Sequence, residues 1–292
     1  MVISHLIGGL GNQMFQYAAA RALSIKLGVQ LRLDISSFAN YQLHQGFELQ
    51  RIFNCSSEVA SKENLDEILG WQSLPVVKRI LLRPGMKVFR YKRLVVEPHF
   101  HYWSGINNLT KDCYLDGYWQ SEKYFINIAD QIRKDFTFKL PMQSANAELV
   151  RQIALVNSVS LHVRRGDYAS NPKNIATHGL CSIEYYRAAI IHIVKHIKSP
   201  NFFVFSDDIE WVKDNLKLDF PHQYVDHNQG KESYNDMRLM SLCKHNIIAN
   251  SSFSWWGAWL NSNEKKLVIA PKQWFAHKVN TSDLIPGGWL TL

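Results

Sequence analysis

The chain has 292 residues, of which 46% are hydrophobic and 20% are charged, and its formal net charge is +8. This composition is typical of a folded globular protein, and the length suits two domains of ordinary size. No apolar run is long enough to span a membrane, and no nucleic-acid-binding signature accompanies the positive charge. We therefore expect neither an integral membrane protein nor a nucleic-acid partner.

The N-terminus and the cysteines both indicate a cytoplasmic protein. Residues 1–7 lack the basic region and cleavage site of a secretory signal, and they lead directly into a structured motif. The four cysteines are widely spaced and form neither a CxxC pair nor a zinc-binding pattern. Reduced thiols in the cytoplasm fit this pattern best.

The first half of the chain is predicted to open with a β–α–β unit, which implies a parallel sheet. Its predicted strands cover residues 2–7, 29–35 and 113–118. Its predicted helices cover residues 12–27, ended by Gly28 as a C-cap, and 121 to about 136. Between about 39 and 100 the periodicity weakens, and this stretch predicts short helices in irregular structure.

A second alternating series follows a predicted linker at residues 139–147. Its predicted strands cover residues 159–163, 202–205, 246–249 and 267–270. Its predicted helices cover residues 182–197 and 233–244, and a further helix follows the N-capping sequence 206–208. The chain is therefore predicted to be an α/β protein with two Rossmann-like domains, at 1–143 and 144–275. A C-terminal tail at 276–292 is expected to return to the first domain.

The sequence GGLGNQ at residues 8–13 follows the first strand and opens the first helix. Such a turn lets backbone N–H groups and a helix N-terminus approach an anionic ligand, although a helix cap by Asn12 is the structural alternative. The candidate binding residues here are Gly9, Gly11, Asn12 and Gln13. A dinucleotide motif, with Asp34 at the ribose, fails at its third glycine because Met14 stands there. An NAD(P)-dependent enzyme using this glycine turn is nevertheless the alternative function.

The sequence HVRRGDY at residues 162–168 ends a β-branched strand. In an open α/β sheet ligands bind at the carboxyl ends of the strands, where Arg164 and Arg165 are expected. Paired guanidiniums are permanently charged, forked donors suited to a diphosphate. The alternative is that one arginine pairs with Asp167 and the other is solvated.

A metal centre is not predicted. No Asp-x-Asp sequence occurs, and the neighbouring carboxylates of Asp207 and Asp208 should diverge at a strand end. A bound diphosphate would then be neutralised by Arg164, Arg165 and helix dipoles instead of a divalent cation.

The sequence NSSFSWWGAW at residues 250–259 is the third motif, and it lies at a predicted strand-to-helix junction. Its hydroxyls and N–H groups could form a phosphate nest, and Phe253 could stack against a base or pack below it. Asp236, on the preceding helix, could accept the paired N–H donors of guanine. The structural alternative is that the tryptophans are simply helix core. We expect Asn250, although part of a glycosylation sequon, to be buried.

A basic amphipathic segment at residues 78–93 contains seven lysines and arginines and no acidic residue. Three interpretations compete: a solvated face, a docking surface for an anionic membrane, and a nucleic-acid-binding surface. The last is disfavoured because no nucleic-acid-binding motif accompanies the charge.

Four sequences, IGGLGNQMFQYAAARAL, DGYWQSEKYF, HVRRGDY and NSSFSWWGAWL, resemble signatures of the family 11 glycosyltransferases, the α-1,2-fucosyltransferases, in order and approximate spacing. This resemblance spans nearly the whole chain. It implies a GT-B fold, in which two Rossmann-like domains face each other across a cleft. It also implies inverting transfer from GDP-β-L-fucose without a metal or other cofactor. The implied acceptor is a glycan, usually a galactoside, in surface polysaccharide such as O-antigen, and a lipid-linked acceptor would bring the basic segment to the inner face of the cytoplasmic membrane.

The resemblance also implies roles for individual residues. Arg164 and Arg165 would hold the diphosphate and act in catalysis, with His162 and Asp167 shaping their loop. Asp236 would read guanine. The residues lining the nucleotide would be Ser251, Ser252 and Phe253, and those facing the phosphates or sugar would be Gly9, Gly11 and Asn12, the last also in a catalytic role.

The acceptor side is less defined by the sequence. A platform for a sugar ring could be formed by Gln13, Tyr118, Trp119 and Gln120, and packing of these residues within the protein is the alternative. The general base that takes the acceptor proton stays open. The candidates are Asp34, Glu48, Asp116, Glu122, several histidines and a water relay.

Overall fold

The computed structural model describes residues 1–39, 45–166, 175–177 and 179–292, which form two compact units. The first unit comprises Met1–Lys139 and Ser282–Leu284, and the second comprises Leu140–Thr281 and Ile285–Leu292. Each unit has its own parallel sheet, so the predicted α/β class with two Rossmann-like domains is confirmed. Within the described ranges, no helix is long and apolar enough to cross a bilayer.

The sheet of the first unit has five parallel strands in the order β3-β2-β1-β5-β4. The strands are β1 (Val2–His5), β2 (Leu31–Asp34), β3 (Glu58–Val59), β4 (Leu94–Val96) and β5 (Cys113–Asp116). The strands β1, β2 and β5 were predicted, whereas β3 and β4 lie in the stretch predicted to be irregular. They are only 2 and 3 residues long, too short to show a period.

One long helix dominates the first unit. It is α1 (Leu10–Leu27), and it ends at Gly28, whose left-handed φ of 63° confirms the predicted C-cap. The shorter helices are α2 (Leu49–Ile52), α3 (Lys62–Leu69), α4 (Pro75–Leu81) and α5 (Ala129–Asp135).

The predicted helix at 121–136 is wrong in its first half. Two 3₁₀ turns, Glu122–Tyr124 and Ile126–Ile128, precede α5. The Ser121 hydroxyl accepts a hydrogen bond from the Lys123 N–H, which closes the first turn. Phe125 then leaves the helical region, with φ of −139°, and this interrupts the helix.

The sheet of the second unit has six parallel strands in the order β11-β10-β9-β6-β7-β8. They are β6 (Asn157–Val163), β7 (Pro200–Ser206), β8 (His222–Val225), β9 (His245–Ile247), β10 (Val268–Ala270) and β11 (Leu290–Thr291). The four central strands were predicted and the two edge strands were not. In β8 only Val225 is buried, so an edge strand carries little apolar signal.

The described part of the second unit contains the helices α6 (Ser144–Leu155), α7 (Ile183–His196), α8 (Ile209–Asn215), α9 (Tyr234–Leu242) and α10 (Ser252–Leu260). Alternate residues of β7 face opposite sides of the sheet. Phe202 packs in the cluster containing α7 and α8, and Phe203 packs in the cluster containing α6 and α9. The predicted linker at 139–147 is wrong in its second half, because α6 begins there and covers one face with Leu149 and Ile153.

The tryptophans of α10 belong to the core. Trp255 and Trp256 are completely buried, and Trp259 is nearly so. This placement confirms the structural alternative for these three side chains. It leaves the serines before them as the part of the third motif that a ligand could meet.

Candidate active site

The two motif arginines emerge where β6 ends, beside the end of β7. Val163 pairs with Ser206 in register, so the residues that follow the two strands are neighbours. Arg164 Nη1 lies 2.7 Å from Asp207 Oδ2, and the Arg165 backbone N–H donates to Asp207 Oδ1 at 2.8 Å. The structure therefore gives Arg164 an acidic partner from the neighbouring strand, and Asp167, the partner considered from the sequence, lies outside the described residues.

Arg165 is held in a second way. Its guanidinium carbon lies 3.6 Å from the centroid of the Trp211 ring, which is a close cation–π contact. Its Nε lies 3.6 Å from Asp208 Oδ2, an ion pair without a hydrogen bond. The adjacent carboxylates thus diverge, as predicted, toward different arginines. The sequence predicts a helix cap at 206–208 and diverging aspartates, but neither the contact of Trp211 with Arg165 nor the pairing of the aspartates with the arginines.

Gly166 keeps this arrangement possible. A β-carbon added to it would lie 2.4 Å from Asp207 Oδ2, which is closer than unbonded atoms approach. Any other residue would displace the carboxylate that both arginines contact. The glycine of HVRRGDY is therefore required by the packing of Asp207.

His162 is buried directly before the arginines, and its ring centroid lies 6.0 Å from that of Phe253. Burial lowers its pKa to about 4, with nearby Arg164 acting in the same direction and Asp207 opposing. Its Nδ1 has no hydrogen-bond partner within the described part of the chain. The imidazole is therefore neutral near pH 7.

The serine junction forms the N-terminus of α10. The Ser251 hydroxyl caps this helix by accepting from the Phe253 N–H at 3.3 Å, and Ser252 is its first residue. Asn250 is buried, as predicted, with its Nδ2 donating to the Trp274 carbonyl at 3.2 Å. The first-turn N–H groups of α10 present partial positive charge at the carboxyl edge of the second sheet.

Asp236 lies in the first turn of α9 and accepts a hydrogen bond from Asn228 Nδ2 at 2.8 Å. Asn228 also bonds to Asn146, whose Oδ1 lies 2.8 Å from His227 Nε2. Burial raises the pKa of Asp236 to about 7. Sequence reasoning missed the three supporting residues because Asn146 lay in the predicted linker and the other two stand in a loop without a motif.

The glycine turn of the first unit is built around Asn12. Its Oδ1 accepts from Gln120 Nε2 at 2.7 Å. Gly9 caps α1, and Gly8 has φ of +80° with the site of a β-carbon only 2.6 Å from Asn12 Nδ2. Glycine at position 8 therefore permits both the turn and the placement of the asparagine. Gly11 lies within the first turn of α1.

Two predicted site residues of the first unit have structural roles instead. Gln13 is completely buried; its Nε2 donates to the Gly8 and Gly46 carbonyls, and its Oε1 accepts from the Glu48 N–H. Asp34 is equally enclosed, with its carboxylate accepting hydrogen bonds from Lys78 Nζ, Tyr114 Oη and the Ser36 N–H. Neither side chain is presented to a ligand, which removes the ribose contact of the dinucleotide interpretation.

The predicted acceptor platform is only partly exposed. Trp119 is buried, whereas Tyr118 is exposed and Gln120 lies beneath the surface. The backbone N–H groups of Tyr118 and Trp119 donate to the two oxygens of Glu97, at 2.7 and 3.0 Å. Burial raises the pKa of Glu97 to about 7. The aromatic face expected from Trp119 is therefore turned into the protein, where Glu97 shapes the turn.

The described residues contain no cluster of three His, Cys, Asp or Glu side chains placed to hold a metal ion.

Most of the chain matches a known protein family. The family model "Glycosyl transferase family 11" matches residues 86–291.

Two curated relatives match the chain from end to end. The alpha-1,2-colitosyltransferase of Escherichia coli is 38% identical over 295 residues, covering 100% of this chain and 99% of that protein. The O-antigen biosynthesis glycosyltransferase WbnK of Escherichia coli is 36% identical over 314 residues, covering 99% of each.

A solved structure shares the fold. The fucosyltransferase NodZ from Bradyrhizobium superposes with a TM-score of 0.56 at 15% identity, covering 88% of this chain and 91% of that one. The NodZ alpha-1,6-fucosyltransferase co-crystallized with GDP gives 0.52 at 16% identity, covering 88% and 90%. The protein is thus a glycosyltransferase with the predicted GT-B type of fold. It belongs to glycosyltransferase family 11.

The neutral state of His162 predicts an acid-sensitive stability. Between its usual pKa of 6.5 and the folded value of about 4, the unfolded histidine binds a proton and the folded one does not. Stability therefore falls as the pH falls through this window, by up to about 3 kcal/mol from this group. We expect His162→Gln to reduce the loss of unfolding free energy between pH 7 and pH 5, as measured by urea unfolding. The exposed His222→Gln variant is the control, and equal acid destabilisation of both variants would contradict the assignment.

Proposed function

We propose that this protein transfers L-fucose from GDP-β-L-fucose, with inversion, to a glycan hydroxyl in an α-1,2 linkage. The proposed acceptor is a β-galactoside of a surface polysaccharide such as O-antigen. The observation that carries the proposal is the pair of guanidiniums of Arg164 and Arg165 at the end of β6, each beside its own carboxylate. The family membership and the O-antigen role named for one relative support it.

The arginine pair suits the charge that the reaction develops. The acceptor hydroxyl approaches the anomeric carbon from the face opposite the diphosphate. As the bond between that carbon and the diphosphate breaks, negative charge builds up on the β-phosphate. Asp207 and Trp211 hold the two guanidiniums in place beforehand, so little reorganisation is needed when that charge appears. A guanidinium has five N–H donors, and a single carboxylate contact orients it without exhausting them.

No metal or other cofactor is part of this proposal. Two guanidiniums and the N-terminus of α10 provide the positive charge that a divalent cation would otherwise supply to a diphosphate. Ser252 and Phe253 would line the nucleotide at that helix end, next to His162.

The nucleobase is proposed to be guanine, read by Asp236. A carboxylate can accept both the N1–H and N2–H donors of guanine, and adenine offers no such pair of donors. Asn228 and Asn146 hold the carboxylate from behind. NodZ was co-crystallized with GDP and soaked with GDP-fucose, which supports a guanine nucleotide for this fold.

The donor sugar is the finer part of the proposal. One relative is named for colitose, which differs from fucose only in lacking the 3-hydroxyl. Discrimination between the two sugars therefore depends on whether a polar group meets that hydroxyl.

The NAD(P)-dependent alternative is disfavoured because Asp34 is enclosed by Lys78, Tyr114 and Ser36.

The experiment that tests this function measures GDP release in the presence of EDTA. GDP-fucose and GDP-colitose are compared, each with and without a panel of β-galactosides. We expect acceptor-stimulated release from GDP-fucose. Release from GDP-colitose alone would change the donor, a requirement for divalent cations would refute metal independence, and neither release nor GDP binding would overturn the proposal.

Removing either arginine should affect the transition state more than the bound donor. We expect Arg164→Ala and Arg165→Ala each to lower kcat about 10²–10³-fold, with a smaller loss of GDP affinity. Arg187→Ala, which removes an exposed arginine of α7, is the matched control and should be unaffected. Retention of more than half the wild-type rate in both motif variants would refute the role given to them.

Donor binding should weaken in mild acid. Asp236 has a pKa of about 7, and only its ionised form can accept both guanine N–H groups. The affinity for GDP-fucose, whose diphosphate diester does not titrate here, should fall about tenfold per pH unit below 7 and level off above. Calorimetric titration at pH values from about 5.5 to about 8.5 measures this change in affinity. Asp236→Asn should abolish the pH dependence and the tight binding, whereas the exposed Asp226→Asn control should preserve both.

A further inference from the structure

The first unit carries a surface that the glycosyltransferase site does not use. Its apolar members are Trp71, Leu74, Val76, Val88 and Phe89. Val88, Val76 and Phe89 expose 83%, 70% and 63% of their surfaces. Soluble proteins rarely have several such highly exposed apolar side chains in one patch. We call this surface the basic apolar patch, and its exposed cations are Arg79, Arg83, Lys87 and Lys92.

The patch is carried by three segments, which are residues 71–74, α4 and residues 87–92, and hydrogen bonds join them. Gln72 Nε2 donates to the Phe89 carbonyl at 2.9 Å, and the Tyr91 N–H donates back to Gln72 Oε1 at 3.1 Å. Trp71 Nε1 donates to Tyr91 Oη at 2.7 Å. Arg90 Nε donates to the Leu81 carbonyl, which ties the end of α4 to the same turn. The segments that carry the patch, all within residues 71–92, are therefore held together by hydrogen bonds.

The helix α4 shows that this exposure is not an incompletely packed core. Leu81 is buried and Val77 packs on the core of the first unit, whereas Val76 and Ile80 on the other face are exposed. Two of the basic residues are also turned inward, because Lys78 pairs with Asp34 and Arg90 bonds to backbone carbonyls. The exposed cations and apolar side chains remain together on the outer side.

We propose that the basic apolar patch docks the protein peripherally on a bilayer containing anionic phospholipid. Charge complementarity favours this partner, since the sequence contains no acidic residue between Glu67 and Glu97. The cations would meet the phosphate groups, and Val88 and Phe89, at the tip of a 3₁₀ turn, would enter the headgroup region. A lipid-linked acceptor would be met at that surface, at the inner face of the cytoplasmic membrane.

Vesicle co-sedimentation of the full-length chain tests this inference. Vesicles of phosphatidylcholine with and without phosphatidylglycerol are compared, with the double variants V88S/F89S and R83S/K87S. We expect binding to the anionic vesicles, weakened about tenfold or more by either double variant. All variants should keep wild-type transfer to a soluble acceptor. The control is I191S/K195S, which removes an exposed apolar and basic pair from α7.

Three results would overturn the membrane proposal. They are no binding to anionic vesicles, equal binding to both vesicle types, and binding that the patch variants leave unchanged. If the variants instead remove self-association or polynucleotide binding without any vesicle binding, the patch belongs to that other partner.

Discussion

The candidate site depends on the register between β6 and β7. Because Val163 pairs with Ser206, the two arginines that follow one strand emerge beside the two aspartates that follow the other. A shift of one residue would turn each side chain to the opposite face of the sheet. Both strands are buried along most of their length, so the register is set by core packing and not by the charged residues themselves.

Two adjacent guanidiniums repel each other, and the protein offsets this repulsion before any ligand arrives. Asp207 contacts Arg164 and the Arg165 backbone, while Trp211 and Asp208 hold the Arg165 side chain. In the reaction proposed for this protein, orientation in advance matters more than charge alone, because a fixed donor need not reorganise as the leaving group becomes negative. Gly166 contributes to the same arrangement of contacts, since it leaves room for the Asp207 carboxylate.

The first unit illustrates how burial separates structural from functional polar residues. Gln13, Asp34 and Glu97 all stand next to strand ends or motifs, yet their polar atoms are bound to the protein's own backbone or to Lys78 and Tyr114. Buried polar groups that lose water must find such partners. Asn12 differs because its partner, Gln120, is a side chain that a ligand could replace.

Sequence reasoning was most successful where a residue's role is local. The helix α1 and its Gly28 cap, the central strands of both sheets, the buried Asn250 and the family membership follow from periodicity, backbone conformation and motif order. The short strands β3 and β4 and the edge strands β8 and β11 did not, because pairing with neighbours and not their own pattern makes them strands.

The sequence by itself therefore determined the class of fold and the family, and it placed Arg164 and Arg165 at the end of a strand. Only the tertiary structure decided what surrounds them. The partners Asp207 and Trp211, the enclosure of Gln13 and the inward turn of Trp119 depend on contacts between segments distant along the chain. The hydrogen-bond partners of a side chain are properties of those contacts, and residue spacing within one segment does not specify them.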